Sequence, residues 1–277
     1  MTDVLTETTS LPPTLVGSGQ ALDAGPRAAR PKWIGGTIGT VLLLVVWEIL
    51  AILLTSKKVL PTPVAVARQM WNDRTFYTPH IKATLAEAAQ GWLWGNLLAI
   101  GVAVVFVLVP VVEKALLRVA IATYAMPIIA IGPILQIVFN GNRPKIILAG
   151  LSVFFTTLIG ALLGLRSADR ISLDVIQAYG GNSWTALRKV RLRAALPNLF
   201  AGLKIAAPAA LLGAIIGEYL GGERGLGVAM INSQQALAIP RTWGIALVAT
   251  ALAGIGYGLT AVVGRLLTPW APRGSQA

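Results

Sequence analysis

Six blocks of apolar residues, parted by polar stretches, organise this chain: Trp33 to Leu54, then roughly 84–109, 115–139, 145–165, 199–220 and 242–267. Each matches the length of helix, about 20 residues, that crosses the hydrocarbon core of a bilayer. The pattern predicts an all-α membrane protein of about six transmembrane helices. Gly and Pro inside the blocks, such as Pro208, are compatible with this, because neighbouring helices or water satisfy the freed carbonyls. Pro127 and Pro133 are expected to kink or break the third block.

The polar stretches differ in kind. Residues 1–31 are rich in Ser, Thr, Pro and Gly without apolar periodicity and read as a disordered tail. They lack the charged start and apolar run of a signal peptide, so the first block is expected to stay as a helix. The membrane domain is placed at 32–270, with 271–277 a second short tail. Between blocks one and two, Thr62 suits an N-cap and Pro63 a first helical position. Val64, Ala67 and Trp71 then share a face, as in a short helix lying on a membrane surface or packed on the protein.

The stretch 166–198 is too long for a simple connection. A helix is predicted up to Tyr179, ended by Gly180-Gly181, and Asn182 or Ser183 can cap a second helix that stops near Pro197. Trp184, Leu187, Val190 and Ala194 form one stripe of that second helix; Thr185, Lys189 and Arg193 form the other. Such a helix either docks into a groove on a partner or rests on anionic lipid through its cations, and the pattern alone leaves both open.

Composition agrees with lipid as the solvent. The chain is 55% hydrophobic and 12% charged, with a mean hydropathy of +0.71; soluble domains carry about 25% charge. The net charge of +12 raises the question of nucleic acid, but the cations flank apolar blocks and form no basic, aromatic-interleaved stripe. No nucleic-acid partner is expected. With no cysteine and one histidine, thiolate chemistry and Cys- or His-rich metal sites are excluded, and His80 reads as a polar residue in a loop. The cations, led by the six in 166–198, favour both termini in the cytoplasm.

The loop resembles the cytoplasmic EAA loop of ABC-importer permeases, whose pattern is E-A-A-x3-G-x9-I-x-L-P. Gly180 falls on its glycine, and Val190 and Leu192 on its aliphatic positions. Trp184, Ala194-Ala195-Leu196-Pro197, Leu60-Pro61-Thr62-Pro63, Gly225-Leu226-Gly227 and Leu267-Thr268-Pro269-Trp270 are similar to the nitrate/taurine/sulfonate branch. The likeness spans roughly 33–270. It departs at Asp174-Val175-Ile176, where the pattern has Glu-Ala-Ala, and at Leu192-Arg193, where it has Leu-Pro.

This resemblance implies a type I importer permease of the bacterial cytoplasmic (inner) membrane. A second permease, identical or paralogous, two ATP-binding subunits and an extracytoplasmic solute-binding protein would complete it. It also implies coupling to the ATPase through Asp174, Gly180, Gly181, Trp184, Leu187, Val190, Leu196 and Pro197, and a small organic anion or compact nitrogen heterocycle as solute.

No motor is legible in the chain itself. There is no Gly-x4-Gly-Lys-Ser/Thr loop, no His-Glu-x-x-His, no Gly-x-Ser-x-Gly and no placeable carboxylate pair. ATP and Mg are therefore expected on a separate subunit and no cofactor in this chain. The glycine-rich run 221–227 reads as a flexible turn. Ala209, Gly213, Gly217 and Gly221 recur every four residues, as a packing seam first and a solute-lining face second. Candidates for the path are Met126, Gln136, Asn140 and Glu218. Glu218 either faces the path or snorkels to the surface, and for Met126 core packing is the favoured reading over the path. With no mid-membrane acidic cluster and no evident repeat, an ion-driven carrier is the lesser alternative.

Overall fold

A computed structural model describes residues 32–54 and 60–271; the expected tail 1–31 and all of 271–277 but Ala271 lie outside them. The chain divides at Val46/Trp47, within α1 (Lys32–Leu53). Up to Val46, this helix is apolar and exposed from Ile38 onward, with no self-made core. From Trp47 it belongs to the second unit: the indole donates to the Pro61 carbonyl (3.0 Å), and its ring lies 5.6 Å from that of Trp243.

The second unit continues with α2 (Pro63–Asn72), α3 (Arg74–Leu108), α4 (Pro110–Ala125), α5 (Ile128–Val138) and α6 (Arg143–Arg166). After these come α7 (Arg170–Ala178), α8 (Ser183–Ala186), a π-helical turn (Leu187–Arg191), α9 (Leu192–Leu220), α10 (Leu226–Gln235) and α11 (Ile239–Leu267). Thr62 caps α2 as expected, its hydroxyl accepting from the Ala65 N–H (3.2 Å). Among the described residues, five helices are long and apolar enough to cross a membrane. The broken pair α4–α5 supplies a sixth apolar stretch.

That break falls at Pro127, which stands at φ −58°, ψ 120° before α5, whereas Pro133 is absorbed within α5. A second departure concerns α3, which starts ten residues before the predicted block. The ten added residues carry Arg74, His80 and Lys82, polar positions that a hydropathy reading leaves out. His80 is therefore helical, not a loop residue. The third departure is larger. The helix that opens at Ser183 does not stop at Pro197 but runs through to Leu220. Pro197 removes one backbone donor. Tertiary contacts hold the helix there: the Ser167 hydroxyl reaches the Ala194 carbonyl (3.3 Å), and a Cβ on Gly164 would come within 2.7 Å of the Ala195 carbonyl.

The core lies where α3, α6 and α9 meet. A Cβ on Gly91 would stand 2.3 Å from that of Ala149, and one on Gly213 would stand 2.7 Å from the Leu148 carbonyl. These glycines allow backbone-to-backbone approach, which association in lipid needs because apolar burial alone gains little there. The four-residue repeat of α9 is thus a packing seam at Gly213 and Gly217, both against α6. Deeper in, Phe106, Leu158, Leu162 and Leu165 form a cluster with Leu187 and Ala195.

Candidate functional site

α9 spans 29 residues, about 43 Å at 1.5 Å per residue, so its two ends lie on opposite sides of the bundle. One end carries the loop 166–191. The other carries the hairpin 221–225 and α10. Both hold polar or exposed groups that packing alone does not require.

At the loop end, Asp169 caps α7 by accepting from the Ser172 N–H (3.1 Å). The helix closes in a Schellman arrangement: the Gly180 N–H donates to Gln177 and the Gly181 N–H to Ile176 (2.9 and 2.8 Å). Gly180 sits at φ +75°, a left-handed conformation that side chains with a Cβ disfavour. Asn182 then caps α8, its carbonyl accepting from the Thr185 N–H (2.9 Å). The predicted helix–Gly-Gly–helix unit is present.

The two helices expose an apolar surface. Tyr179 is 89% exposed and Trp184 57%, and Ile171 and Val175 stand out from α7. Asp174 and Gly180 are exposed beside them, whereas Gly181, Val190, Leu196 and Pro197 are half-buried. Leu187 departs from its predicted place. It is 3% exposed and joins the core cluster, so it anchors the loop instead of presenting a face to a partner. Trp184 stands in the first turn of α8, whereas Leu187, three residues on, reaches the core cluster of α3, α6 and α9. Ile171, Val175 and Tyr179 were missed, although their i, i+4, i+8 spacing is legible. Arg193 lies over the Trp270 ring, 5.1 Å from its centroid, so this departure from the pattern is engaged within the chain. Arg166 pairs with Glu113 at the same end.

The hairpin end is built around buried charge. Glu218 is 1% exposed. One of its oxygens accepts from the Thr84 hydroxyl (2.6 Å) and the other from the Gly227 N–H (2.6 Å), in the first turn of α10. A carboxylate there meets unpaired helix donors and the positive end of the helix dipole. The Thr84 oxygen also accepts from the Leu226 N–H (2.8 Å), and His80 Nδ1 lies 2.9 Å from the Gly225 carbonyl. A Cβ on Gly225, at φ +135°, would fall 2.1 Å from the Glu218 carboxyl carbon. The run 221–227 is therefore not a free turn: its end is clasped over Glu218. Neither of the two predicted positions for Glu218, open path or surface, is the one found.

One turn along α3 from Thr84, Glu87 is 2% exposed and pairs with Lys145 of α6 (2.9 Å), itself 5% exposed in its side chain. Lys145 Nζ also donates to Asn142 Oδ1 (3.1 Å). This ion cluster contradicts the expectation that no carboxylate pair exists. Its members lie on α3, α6 and α9, far apart in sequence. The available signal was that His80, Thr84, Glu87, Gly91 and Gly95 share one stripe of α3. At the same end, Arg241 holds Asp73 with two hydrogen bonds (2.6 and 3.0 Å). The guanidinium keeps the Asp73 carboxyl below the usual carboxylate range.

The remaining path candidates are scattered. Gln136 lies against Gly221, near the cluster, with its amide nitrogen unpaired. Asn140 is exposed in the α5–α6 connection. Met126 is 52% exposed at the α4–α5 break, bordering an apolar cleft of about 340 Å³ with Tyr124 and Phe155, and is not a core residue.

Comparison with known proteins bears on both ends. Residues 95–271 match the family described as "Binding-protein-dependent transport system inner membrane component". The chain is similar to the riboflavin transport system permease protein of Chloroflexus aurantiacus, with 31% identity over 87% of this chain and 92% of that one. It is similar to the taurine transport system permease protein of Escherichia coli at 29% identity, covering 84% and 89% respectively. In fold it resembles a chain of the MetNI methionine ABC transporter in an inward-facing conformation. The TM-score is 0.58 and the identity 16%, covering 71% of this chain and 99% of that one.

Proposed function

Because this chain belongs to the family of binding-protein-dependent transport system inner membrane components, and is the permease subunit of an ABC importer, we propose that residues 166–198 are its handle for a separate ATPase. The observation that carries this reading is the exposed surface of Ile171, Val175, Tyr179 and Trp184, held on a loop whose next residue pair, Ala186-Leu187, is buried in the core. Exposed apolar side chains on a loop that also exposes Asp174, Arg188 and Lys189 suit a protein groove better than lipid headgroups alone.

Mechanism follows from continuity. The helix from Ser183 to Leu220 joins the handle to Glu218 at the far end. A displacement imposed on the loop by two closing ATPase subunits, loaded with ATP and Mg, travels along a continuous helix to the Glu218–Gly227 clasp. Solute, handed over by a binding protein, contributes by favouring one state over the other. In this reading the loop end faces the cytoplasm and the hairpin end faces outward, in accord with the cation-rich 166–198. A second permease, identical or paralogous, completes the path. The solute is a small organic anion or a nitrogen heterocycle, as the relatives' names suggest.

Purification of the tagged chain from its own membranes tests this. A nucleotide-hydrolysing subunit is expected to accompany it and to be lost when Tyr179 and Trp184 are both changed to Ser. Solute pumping by the chain alone, in vesicles without such a subunit, would overturn the proposal and restore the ion-driven carrier.

A further inference from the structure

Besides the cleft at Met126, the membrane helices form a groove at the loop end. It measures about 420 Å³ and is walled by Ile100 and Val104 of α3, Leu165 of α6, and Leu196 and Leu199 of α9. Two arginines belong to its lining, Arg188 of the π turn and Arg193 in the first turn of α9. Ile171, Val175, Tyr179 and Trp184 are not among the lining residues, so the groove is a surface distinct from the apolar face of the handle.

Its walls and its charges call for different surroundings. The walls are the ends of membrane-crossing helices, and their apolar side chains suit hydrocarbon. The two arginines are exposed. Arg188 has no ion-pair partner among the described residues, and no carboxylate lines the groove. Around it, the stretch 166–193 carries six cations against Asp169 and Asp174, and Asp169 is engaged as the α7 cap. The Arg193 guanidinium lies 5.1 Å from the centre of the Trp270 ring, and tryptophan favours the headgroup level of a bilayer. Stacking uses the face of a guanidinium and leaves the N–H groups at its edge free to donate. Arg193 also stands where the EAA pattern has proline, so the coupling loop does not by itself require it.

We propose that this groove holds an anionic phospholipid, with one acyl chain along the apolar wall and the phosphate on Arg188 and Arg193. Phosphate matches the planar fork of a guanidinium, and basic pockets between membrane helices take acidic lipid headgroups. A zwitterionic lipid would bring its own cation beside the arginines, and a free phosphate would leave the apolar wall unmatched. Leu165 also belongs to the core cluster that buries Leu187. The lipid therefore packs beside the residues that anchor the handle. This binding goes beyond the permease reading and needs only a chain embedded in a bilayer.

Native mass spectrometry of the full chain, released from micelles with whatever subunits accompany it, tests this. The micelles carry equal amounts of dioleoylphosphatidylglycerol and dioleoylphosphatidylcholine, and lipid retained on this chain is read whether or not an ATPase is present. Phosphatidylglycerol is expected to be retained about tenfold or more over phosphatidylcholine, the order that two cations at a membrane surface supply. Arg188→Gln combined with Arg193→Gln is expected to bring the two lipids to within about twofold of each other. Arg170→Gln combined with Lys189→Gln removes the same charge from exposed positions outside the lining and should leave the preference in place. Glycerol phosphate in excess should not displace the lipid, because it has no chain for the wall. Should the first double variant lose thermal stability with its Trp270 contact, Arg188→Gln alone keeps that contact and is expected to lower the preference at least about threefold. Equal retention of the two lipids, a preference that survives in the folded groove variants, an equal loss in the Arg170 and Lys189 control, or displacement by glycerol phosphate would each overturn the inference. A groove closed by the second permease subunit would retain no lipid, and that result overturns it as well.

Discussion

Replacing Gly180 with valine isolates the hinge of the handle. The backbone there stands at φ +75°, and a Cβ built on it meets no atom within 4 Å. The cost is therefore conformational and not steric, about 1–2 kcal/mol for an L residue forced left-handed. That is a factor of about 5–30 in the balance between the closed Schellman turn and an opened loop. The buried anchor at Leu187 and the α3–α6–α9 core are untouched, so insertion and overall stability should hold. With the variant reconstituted beside its ATPase and binding protein, hydrolysis and uptake are measured in the same vesicles. Solute moved per ATP should fall several-fold while hydrolysis persists. Gly180→Asn, a residue that tolerates this conformation, should retain most of the coupling. Wild-type coupling in the valine variant would refute the hinge argument, and equal damage by asparagine would show that the left-handed backbone is not the cause.

Three further outcomes follow from the geometry. Glu218→Ala leaves the Gly227 N–H without its partner, at about 1–3 kcal/mol, while the Thr84 hydroxyl keeps the His80 carbonyl as acceptor (3.1 Å); amide exchange across 221–227 should accelerate, and unchanged exchange would remove the clasp. Gly213→Leu drives a side chain into the α6 backbone, a cost of at least about 1–3 kcal/mol visible as a lower unfolding temperature in detergent. Gly254→Leu, where nothing lies within 4 Å, should leave that temperature unmoved. For the Asp73–Arg241 pair the sign is set by the lowered carboxyl: its stabilisation is complete above about pH 3.9 and is lost as the pH falls through the depressed folded value. Asp73→Asn should be less stable at neutral pH and should flatten the loss that sets in as the pH falls below about 3.9, and a wild-type profile would show the pair to be inert.

How much of this was legible without coordinates depends on the range of the interactions involved. Helix ends are local events, and the sequence carries them openly. Thr62-Pro63 opens α2, Asn182 opens α8, and Gly180-Gly181 closes α7, because a cap or a left-handed glycine acts within three or four residues of itself. The long apolar blocks are equally plain, since lipid requires each crossing to satisfy its own backbone.

Departures arose wherever tertiary packing outweighed a local preference. Pro197 looked like a stop, yet contacts from Gly164 and Ser167 carry the helix past it. Leu187 shared a predicted stripe with Trp184, but only Leu187 reaches the core cluster of α3, α6 and α9, and Trp184 stays exposed. Sequence thus determined the solvent, the number of apolar segments and the family of this protein, since these rest on composition and near-neighbour spacing. The fold decided that Glu87, Lys145 and Glu218 meet, and that Gly225 closes over a carboxylate. Those contacts join residues far apart in the chain, and only the close approach of three glycine-faced helices brings them within hydrogen-bond reach.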